Sequence, residues 1–292
     1  METLAYLDVP EALGQSAPCD LFGSADDRTW LWLLTEGRKA CPWLRAYLPG
    51  VPDEKSQSRC SASIGDAALE LGLKTYVLFR DLYRGHRGKL SRATTVLDFG
   101  CGWGRLIRFF LHDIAPTNLY GIDRDSSAIM ACRETNQWCH FDETNVFPPT
   151  SFTTASFDLI YCYSVFSHLP EQLHDAWLGE FQRILKPGGI LLATTLPRSF
   201  IVVCRELRAR AESELQAVWQ QEAAHCFEDT AEELARYDRG AFSFDFVRDP
   251  LYGYACIPRG YVEAKWGDRF RVLGYIDEPP SGLQTVIAVQ RT

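Results

Sequence analysis

Val96-Leu97-Asp98-Phe99-Gly100-Cys101-Gly102-Trp103-Gly104-Arg105 is the stretch whose reading decides the fold. Thr95-Val96-Leu97-Asp98-Phe99 reads as a buried strand that stops at three glycines in alternate positions. Glycines so spaced let the backbone turn left-handed and approach a ligand closely, and a helix starting there would aim its first amides at that ligand. The expected helix carries Ile107, Phe110, Leu111 and Ile114 on one face. A glycine cluster by itself fits a tight turn equally well. The next strand, Asn118–Ile122, narrows the choice, because it runs into Asp123, 19 residues beyond Gly104. In a doubly wound sheet an acidic residue at that spacing sits beside the glycine loop and accepts ribose hydroxyls. A dinucleotide fingerprint would want Gly or Ala where Arg105 stands, which weakens a nicotinamide or flavin reading.

Outward from this unit the texture alternates. A helix is expected from about Ser126, and strands at Phe157–Tyr163 and Gly189–Leu196 flank a helix with Leu173, Trp177, Phe181 and Ile184 in register. Alternation of this kind specifies a parallel sheet with helices on both faces. Near the end, Phe270–Ile276 and Leu283–Gln290 read as an antiparallel pair joined by a turn at Glu278-Pro279-Pro280-Ser281-Gly282. Ahead of the sheet, Asp26-Asp27 is expected to cap a short helix bearing Trp30, Leu33 and Leu34. A longer helix is expected from about Ile64 to Tyr83, with Leu71, Thr75, Leu78 and Leu82 at helical spacing and Gly85 and Gly88 as its stop. Residues 199–239, rich in Glu, Ala, Arg and Gln, read as one or two helices.

These motifs together resemble the class I S-adenosylmethionine (SAM)-dependent methyltransferases. The match continues through Phe157-Asp158-Leu159-Ile160, Ser164-Val165-Phe166-Ser167-His168-Leu169 and Arg183-Ile184-Leu185-Lys186-Pro187-Gly188-Gly189, covering about residues 93–197 and 251–292. The resemblance implies an α/β fold: a doubly wound, seven-stranded, mostly parallel sheet with its last strand antiparallel. A helical N-terminal extension (1–92), contributing to the acceptor pocket, would precede a methyltransferase domain (93–292) carrying a helical cap insertion at about 199–250, with a dimerisation arm as the alternative role of the insertion. It also implies SAM as the cofactor and S-adenosylhomocysteine as its product. Gly100, Gly102 and Gly104 would form the loop under the methionine part, Cys101 among the cofactor-binding residues, with Asp98 near the ammonium group. Asp123 would hold the ribose, Arg124 or Ile122 would flank the adenine, and Asn145, with Asp142 as second choice, would lie near it. Tyr163 and Ser164 would run along the methionine end.

Methyl transfer from a sulfonium needs no acid for the leaving group, so orientation and exclusion of water are the protein's main contributions. A base is needed only where the acceptor must lose a proton. His168, just past the fourth strand, is the candidate base, with a structural role at the start of the next helix weighed equally. Tyr163 is the second candidate for the reacting centre. Trp103, Tyr252 and Tyr254, together with Trp30 and Trp32, are aromatic residues expected near the mouth, where ring faces attract a sulfonium or ammonium cation. Arg205, Arg208, Arg210 and Glu212 read as the solvated face of the insertion, with one arginine able to bind a substrate carboxylate.

Composition sets the outer bounds. The 292 residues carry 30 Lys and Arg against 38 Asp and Glu, a net charge of −8 that gives no general attraction to nucleic acid or anionic lipid. Base-methylating enzymes commonly carry an Asp/Asn-Pro-Pro-Tyr motif where this chain has Cys162-Tyr163-Ser164-Val165. No apolar run approaches the ~20 residues that cross a bilayer, and Met1-Glu2-Thr3-Leu4 lacks the start of a signal peptide. Ten cysteines without a Cys-x-x-Cys pair suit a reduced, cytoplasmic protein. Cys139-His140 and His225-Cys226 lack metal-ligand spacing, and no Gly-x-Ser-x-Gly elbow exists for a serine hydrolase. The expectation is a methyltransferase for a small-molecule acceptor, as monomer or homodimer. A protein or glycan acceptor and a non-catalytic SAM-binding module are the alternatives.

Overall fold

The computed structural model describes residues 16–60, 63–277 and 284–292. The expected turn at 278–282 lies outside them, as do the first residues of the chain. Seven strands form one sheet: β1 (Val96–Phe99), β2 (Leu119–Asp123), β3 (His140–Glu143), β4 (Phe157–Cys162), β5 (Leu185–Thr195), β8 (Phe270–Ile276) and β9 (Thr285–Arg291). Their order is β3-β2-β1-β4-β5-β9-β8. A separate hairpin joins β6 (Ser243–Asp249) to β7 (Tyr252–Cys256). The chain divides into two compact units at the Thr144/Asn145 junction.

In the first unit β1 is buried along its whole length, as its apolar residues require. It pairs in parallel with β2, Asp98 opposite Gly121, and β2 pairs in parallel with β3, Asp123 opposite Glu143. The Ser126–Thr135 helix follows β2, capped by Asp125, whose carboxylate accepts the Ser127 N–H at 2.9 Å. Asp26 caps the Asp27–Trp32 helix by accepting the Thr29 N–H at 2.7 Å. The long N-terminal helix spans Gly65–Arg87 and ends at Gly88, whose φ of 86° suits glycine. Gly85 does not stop it: its Cα faces open space. Its buried line runs through Ala68, Leu69, Gly72, Thr75, Tyr76, Phe79 and Tyr83, so of the expected stripe only Thr75 is on it and Leu71, Leu78 and Leu82 lie half-buried to one side. Tyr76 and Phe79 outweigh the leucines because large rings bury more apolar surface.

The helix expected after the glycine loop is a single turn, Ile107–Phe110. Ile107, Phe110, Leu111 and Ile114 are all buried as anticipated, but beyond Phe110 the chain continues as turns. Arg108 sits within this turn. Its guanidinium is fully buried and donates to the carbonyls of Gly104 (2.9 Å) and Gly50 (2.7 Å), tying the turn to the N-terminal segment.

In the second unit β4 and β5 are parallel, with Leu159 opposite Ile190 and Cys162 opposite Ala193. Between them runs the Glu171–Ile184 helix, burying Leu173, Trp177, Phe181 and Ile184 as their spacing predicts. β5 begins at Leu185, four residues earlier than expected, so Lys186-Pro187-Gly188-Gly189 belongs to the strand. β9 is antiparallel to both β5 and β8, as the closing pair requires.

The insertion is not wholly helical, a correction to the sequence expectation. After the helices Arg198–Arg208, Val218–Ala223 and Thr230–Asp238 it ends in β6, which pairs antiparallel with β7. Phe244, Phe246, Tyr252 and Tyr254 supply alternating strand-forming residues, and Asp249 closes the turn by accepting the Leu251 N–H at 2.9 Å. A core of Ile201, Cys204, Leu207, Phe227 and Tyr254 holds the insertion together. Among the described residues no helix is long and apolar enough to cross a membrane, and no group of three or more His, Cys, Asp or Glu side chains gathers as a metal site. All ten cysteines are free thiols.

Candidate active site

In the first unit the glycine loop and Asp123 are hydrogen-bonded to each other. Asp123 Oδ2 accepts the Gly102 N–H at 2.8 Å, and Oδ1 accepts the Asp125 N–H at 2.9 Å. Burial pushes the Asp123 carboxyl above its ordinary pKa, a rise that these two N–H bonds oppose. Gly100, Gly102 and Gly104 have φ values of 73°, 52° and 73°, in the left-handed region that glycine enters without penalty. The loop amides are committed inside the protein. Gly100 and Cys101 both donate to the Ile122 carbonyl, at 2.8 and 3.1 Å, and Gly104 donates to that of Cys101 at 2.9 Å. The amides of Gly100, Cys101, Gly102 and Gly104 are therefore bonded within the protein, and this part of the loop shapes the site through close backbone approach.

The Glu54–Cys60 helix lies over this loop. A Cβ on Gly102 would come within 3.0 Å of the Cys60 Cβ, and Arg59 pairs with Asp125 at 3.0 Å. Desolvation of its sulfur against the loop, with Asp123 and Asp125 nearby, pushes the thiol of Cys60 up to about 12 although the residue is exposed at the surface, so it stays protonated at neutral pH.

In the second unit His168 is the centre of a fixed polar chain. Its Nδ1 lies 2.8 Å from the Gly253 carbonyl, which can only accept, so Nδ1 carries the proton and Nε2 holds the lone pair. Gly253 returns the bond, its N–H donating to the His168 carbonyl at 3.0 Å. Nε2 faces the Ser164 hydroxyl at 3.5 Å. Ser164 accepts from Gln284 Nε2 at 3.0 Å, Gln284 Oε1 accepts from the Thr194 hydroxyl at 2.7 Å, and Thr194 accepts the Ser164 N–H at 2.7 Å. This closed ring holds Ser164 at φ 58°, a strained value for serine. The Tyr252 ring stacks on His168 with centroids 5.0 Å apart and planes 7° apart. Burial lowers the His168 pKa, partly offset by the Gly253 bond, and the imidazole is neutral at pH 7.

Residues 97–191 match the family model of a methyltransferase domain. The matched stretch is similar to a methyltransferase domain, and the seven-stranded sheet with its antiparallel β9 has the class I SAM-dependent methyltransferase fold. The chain is similar to trans-aconitate 2-methyltransferase of Azoarcus sp. (strain BH72), 30% identical over 117 residues, covering 39% of this chain and 43% of that protein. Sterol 24-C-methyltransferase erg6 of Schizosaccharomyces pombe is 28% identical over 113 residues, covering 37% of this chain and 29% of its own. The chain thus spans less than half the length of these curated relatives. A solved Listeria monocytogenes protein, assigned to the SAM-dependent methyltransferases, aligns with a TM-score of 0.50 at 13% identity, covering 76% of this chain and 99% of its own.

Within the matched stretch, Asp98, Gly100, Cys101, Gly102, Asp123 and Arg124 cluster at the ends of β1 and β2. Arg124 is exposed, whereas Ile122 is buried in the strand. The Cys101 side chain is packed below the loop, where a Cβ on Gly121 would meet its Sγ at 3.1 Å. Asp142 is paired to Arg133 at 2.9 Å, and Asn145 is exposed. Tyr163, Ser164, His168 and Tyr252 gather where β4 ends.

Three aromatic expectations change. Trp103 and Trp30 are each 1% exposed. The Trp103 ring lies 4.6 Å under the Arg108 guanidinium, and Trp30 Nε1 donates to the Phe109 carbonyl, so both are core residues. Tyr254 is also buried, its hydroxyl donating to the Trp219 carbonyl at 3.3 Å, which makes it a pillar of the insertion. Arg208 is bound as well: its donors reach the carbonyls of Ala224 (3.0 Å) and Cys226 (2.6 Å). Sequence reasoning missed Arg59, Cys60, Thr194 and Gln284, and it marked Gly253 only as part of Tyr252-Gly253-Tyr254. Their roles arise from contacts distant in sequence, and only Gly253, between two tyrosines in a strand, left a local signal.

Proposed function

We propose that this protein transfers the methyl group of SAM to an oxygen, nitrogen or sulfur of a small metabolite by in-line displacement. The observation that carries the reading is the Asp123 carboxylate, locked to Gly102 and Asp125 through one N–H per oxygen. Each oxygen keeps a second lone pair, which suits the two hydroxyls of a ribose. When bound, SAM supplies an electrophilic sulfonium methyl group. Asp123 holds the ribose, Arg124 and Asn145 flank the adenine, and Asp98 with the Gly100–Gly102 loop receives the amino-acid end. Tyr163 and Ser164 border the methyl group. His168 Nε2 takes the proton of an acceptor that must lose one, its partner Nδ1–H held by Gly253.

Tyr252 over His168 forms an aromatic wall that favours a small acceptor, flat or cationic, and the insertion serves as its cap. Residues 1–92 act as an extension whose Glu54–Cys60 helix covers the loop. Two relatives are named for small acceptors, trans-aconitate and a sterol, which supports the same class here. The net charge of −8 disfavours nucleic acid. We read the protein as cytoplasmic, a monomer or homodimer with reduced thiols. Calorimetry with S-adenosylhomocysteine, followed by labelled SAM against pooled metabolites, tests the proposal. Micromolar binding with a labelled small product is expected. Label in the macromolecular fraction favours a protein or glycan acceptor, binding without transfer a sensor, and no binding removes the reading.

A further inference from the structure

The segments ahead of β1 border an open cavity of about 460 Å³ to which the reading above gives no role. Leu34 and Val51 form an apolar wall, while Arg38, Lys39 and Arg45 bring three positive charges and Asp66 one negative charge. Lys39 is neutralised twice, with Nζ 2.8 Å from Glu36 and 3.0 Å from Asp66. The two arginines have no such relief. Among the described residues neither guanidinium has a carboxylate within ion-pair distance, and Arg38 Nε is buried without a hydrogen-bond partner.

The fold imposes this arrangement. Arg45 Nε donates to the Arg38 carbonyl at 3.1 Å, fixing one edge of its guanidinium and leaving the two terminal nitrogens. Gly50 borders the other arginine, since a Cβ there would lie 3.6 Å from an Arg38 terminal nitrogen. Gly50 is itself anchored, its N–H donating to Thr135 and its carbonyl accepting from Arg108. Two like charges are thus held together, one of them half-buried, which is unfavourable without a counter-charge. Burial and the Arg45 charge both lower the Arg38 pKa.

We propose that this cavity binds a small oxyanion, the carboxylate or phosphate of a metabolite, between the guanidinium groups of Arg38 and Arg45. Planar forks of this kind take two oxygens at once. Leu34 and Val51 accept the hydrocarbon part of the ligand. Asp66 and Glu36 offset most of the positive charge, so the site selects a singly or doubly charged ion over a larger polyanion.

Titration of the intact chain at low ionic strength, with succinate in one arm and inorganic phosphate in the other, tests the site and separates the two sources. At least one arm should bind with Kd below about 1 mM, and Arg38→Gln and Arg45→Gln should each weaken it about tenfold or more, about 1.4 kcal/mol. Lys39→Gln, already doubly paired, should change it less than about threefold. Arg38→Lys keeps the charge but loses the fork and should fall between wild type and Arg38→Gln. S-adenosylhomocysteine affinity should be unchanged in every variant, which separates this site from the cofactor reading and reports folding. Binding of neither anion at about 10 mM, or equal binding by wild type and both glutamine variants, would overturn the proposal.

Discussion

Asp123 joins the glycine loop to the turn after β2, so its removal acts on both. Asp123→Ala should weaken S-adenosylhomocysteine binding more than about tenfold, or about 1.4 kcal/mol, by calorimetry. Unchanged affinity in a folded variant would remove the ribose role. His168 makes a different prediction. Its conjugate acid is weakened by burial, so the neutral base persists across pH 7 and is lost only below the ordinary histidine value of about 6.5. The kcat/KM profile should be flat above that point and fall on the acid side. His168→Ala should lower turnover about a hundredfold with cofactor affinity kept. Near-normal turnover would leave the histidine as a structural link to Gly253. Asp123 was readable from sequence because a strand–helix–strand unit fixes the distance between two strand ends. Trp103 and Tyr254 were not, because whether a ring faces a mouth or a core depends on partners such as Arg108 and Trp219 that lie elsewhere in the chain.

At the scale of elements the β6–β7 hairpin is what holds His168 in place. Gly253 sits opposite Phe246, and a Cβ there would collide with the Asp245 carbonyl oxygen and the Phe246 Cα. Gly253→Ala must therefore spread the hairpin and break the paired bonds to His168. We expect a lower melting temperature and a turnover loss approaching that of His168→Ala, with S-adenosylhomocysteine binding retained because β1, β2 and the loop are untouched. Retained turnover with normal melting would show that the imidazole does not need this anchor. Strands β1, β2, β4 and β5 and the Glu171–Ile184 helix were legible because their apolar periodicity answers directly to the sheet they cover. The hairpin was not: β6 follows a run of helix-forming residues, and its Asp249-Pro250 turn separates two strands whose pairing depends on tertiary context. The single-turn helix at Ile107–Phe110 escaped for a related reason, since the backbone beyond it closes short turns, His112 N–H donating to the Phe109 carbonyl and Asp113 N–H to that of Phe110.

For the whole molecule, buried histidines set the acid limit of stability. His174 is 1% exposed, edge-on to Phe166 and Phe242 at 4.3 and 4.9 Å, with Nε2–H donating to the Phe166 carbonyl at 2.9 Å. Its Nδ1 is buried and makes no hydrogen bond in the neutral ring, so a second proton there would place a charge in an apolar site that only the Leu169 backbone could ease. Burial pulls its pKa down to about 3, against about 6.5 in an unfolded chain. Between those values the unfolded state binds the extra proton, so unfolding free energy falls as pH drops, by up to about 1.4 kcal/mol per pH unit for this group. His168 adds a loss of the same sign just below pH 6.5. His112 acts in a different window. Burial would lower it, but the hydrogen bond and charge of Asp113 raise it above its ordinary value, so its contribution is complete below about 6.5 and disappears as pH rises through the folded pKa. Stability should therefore peak near pH 6.5 among these three groups, with the steeper limb on the acid side. Urea unfolding from pH 7 to 4 measures that limb directly. His174→Gln keeps a side-chain donor for Phe166 but cannot be protonated, and should flatten the limb by close to one proton. Equal slopes in the variant and the wild type would mean that His174 is not the group taking up the proton.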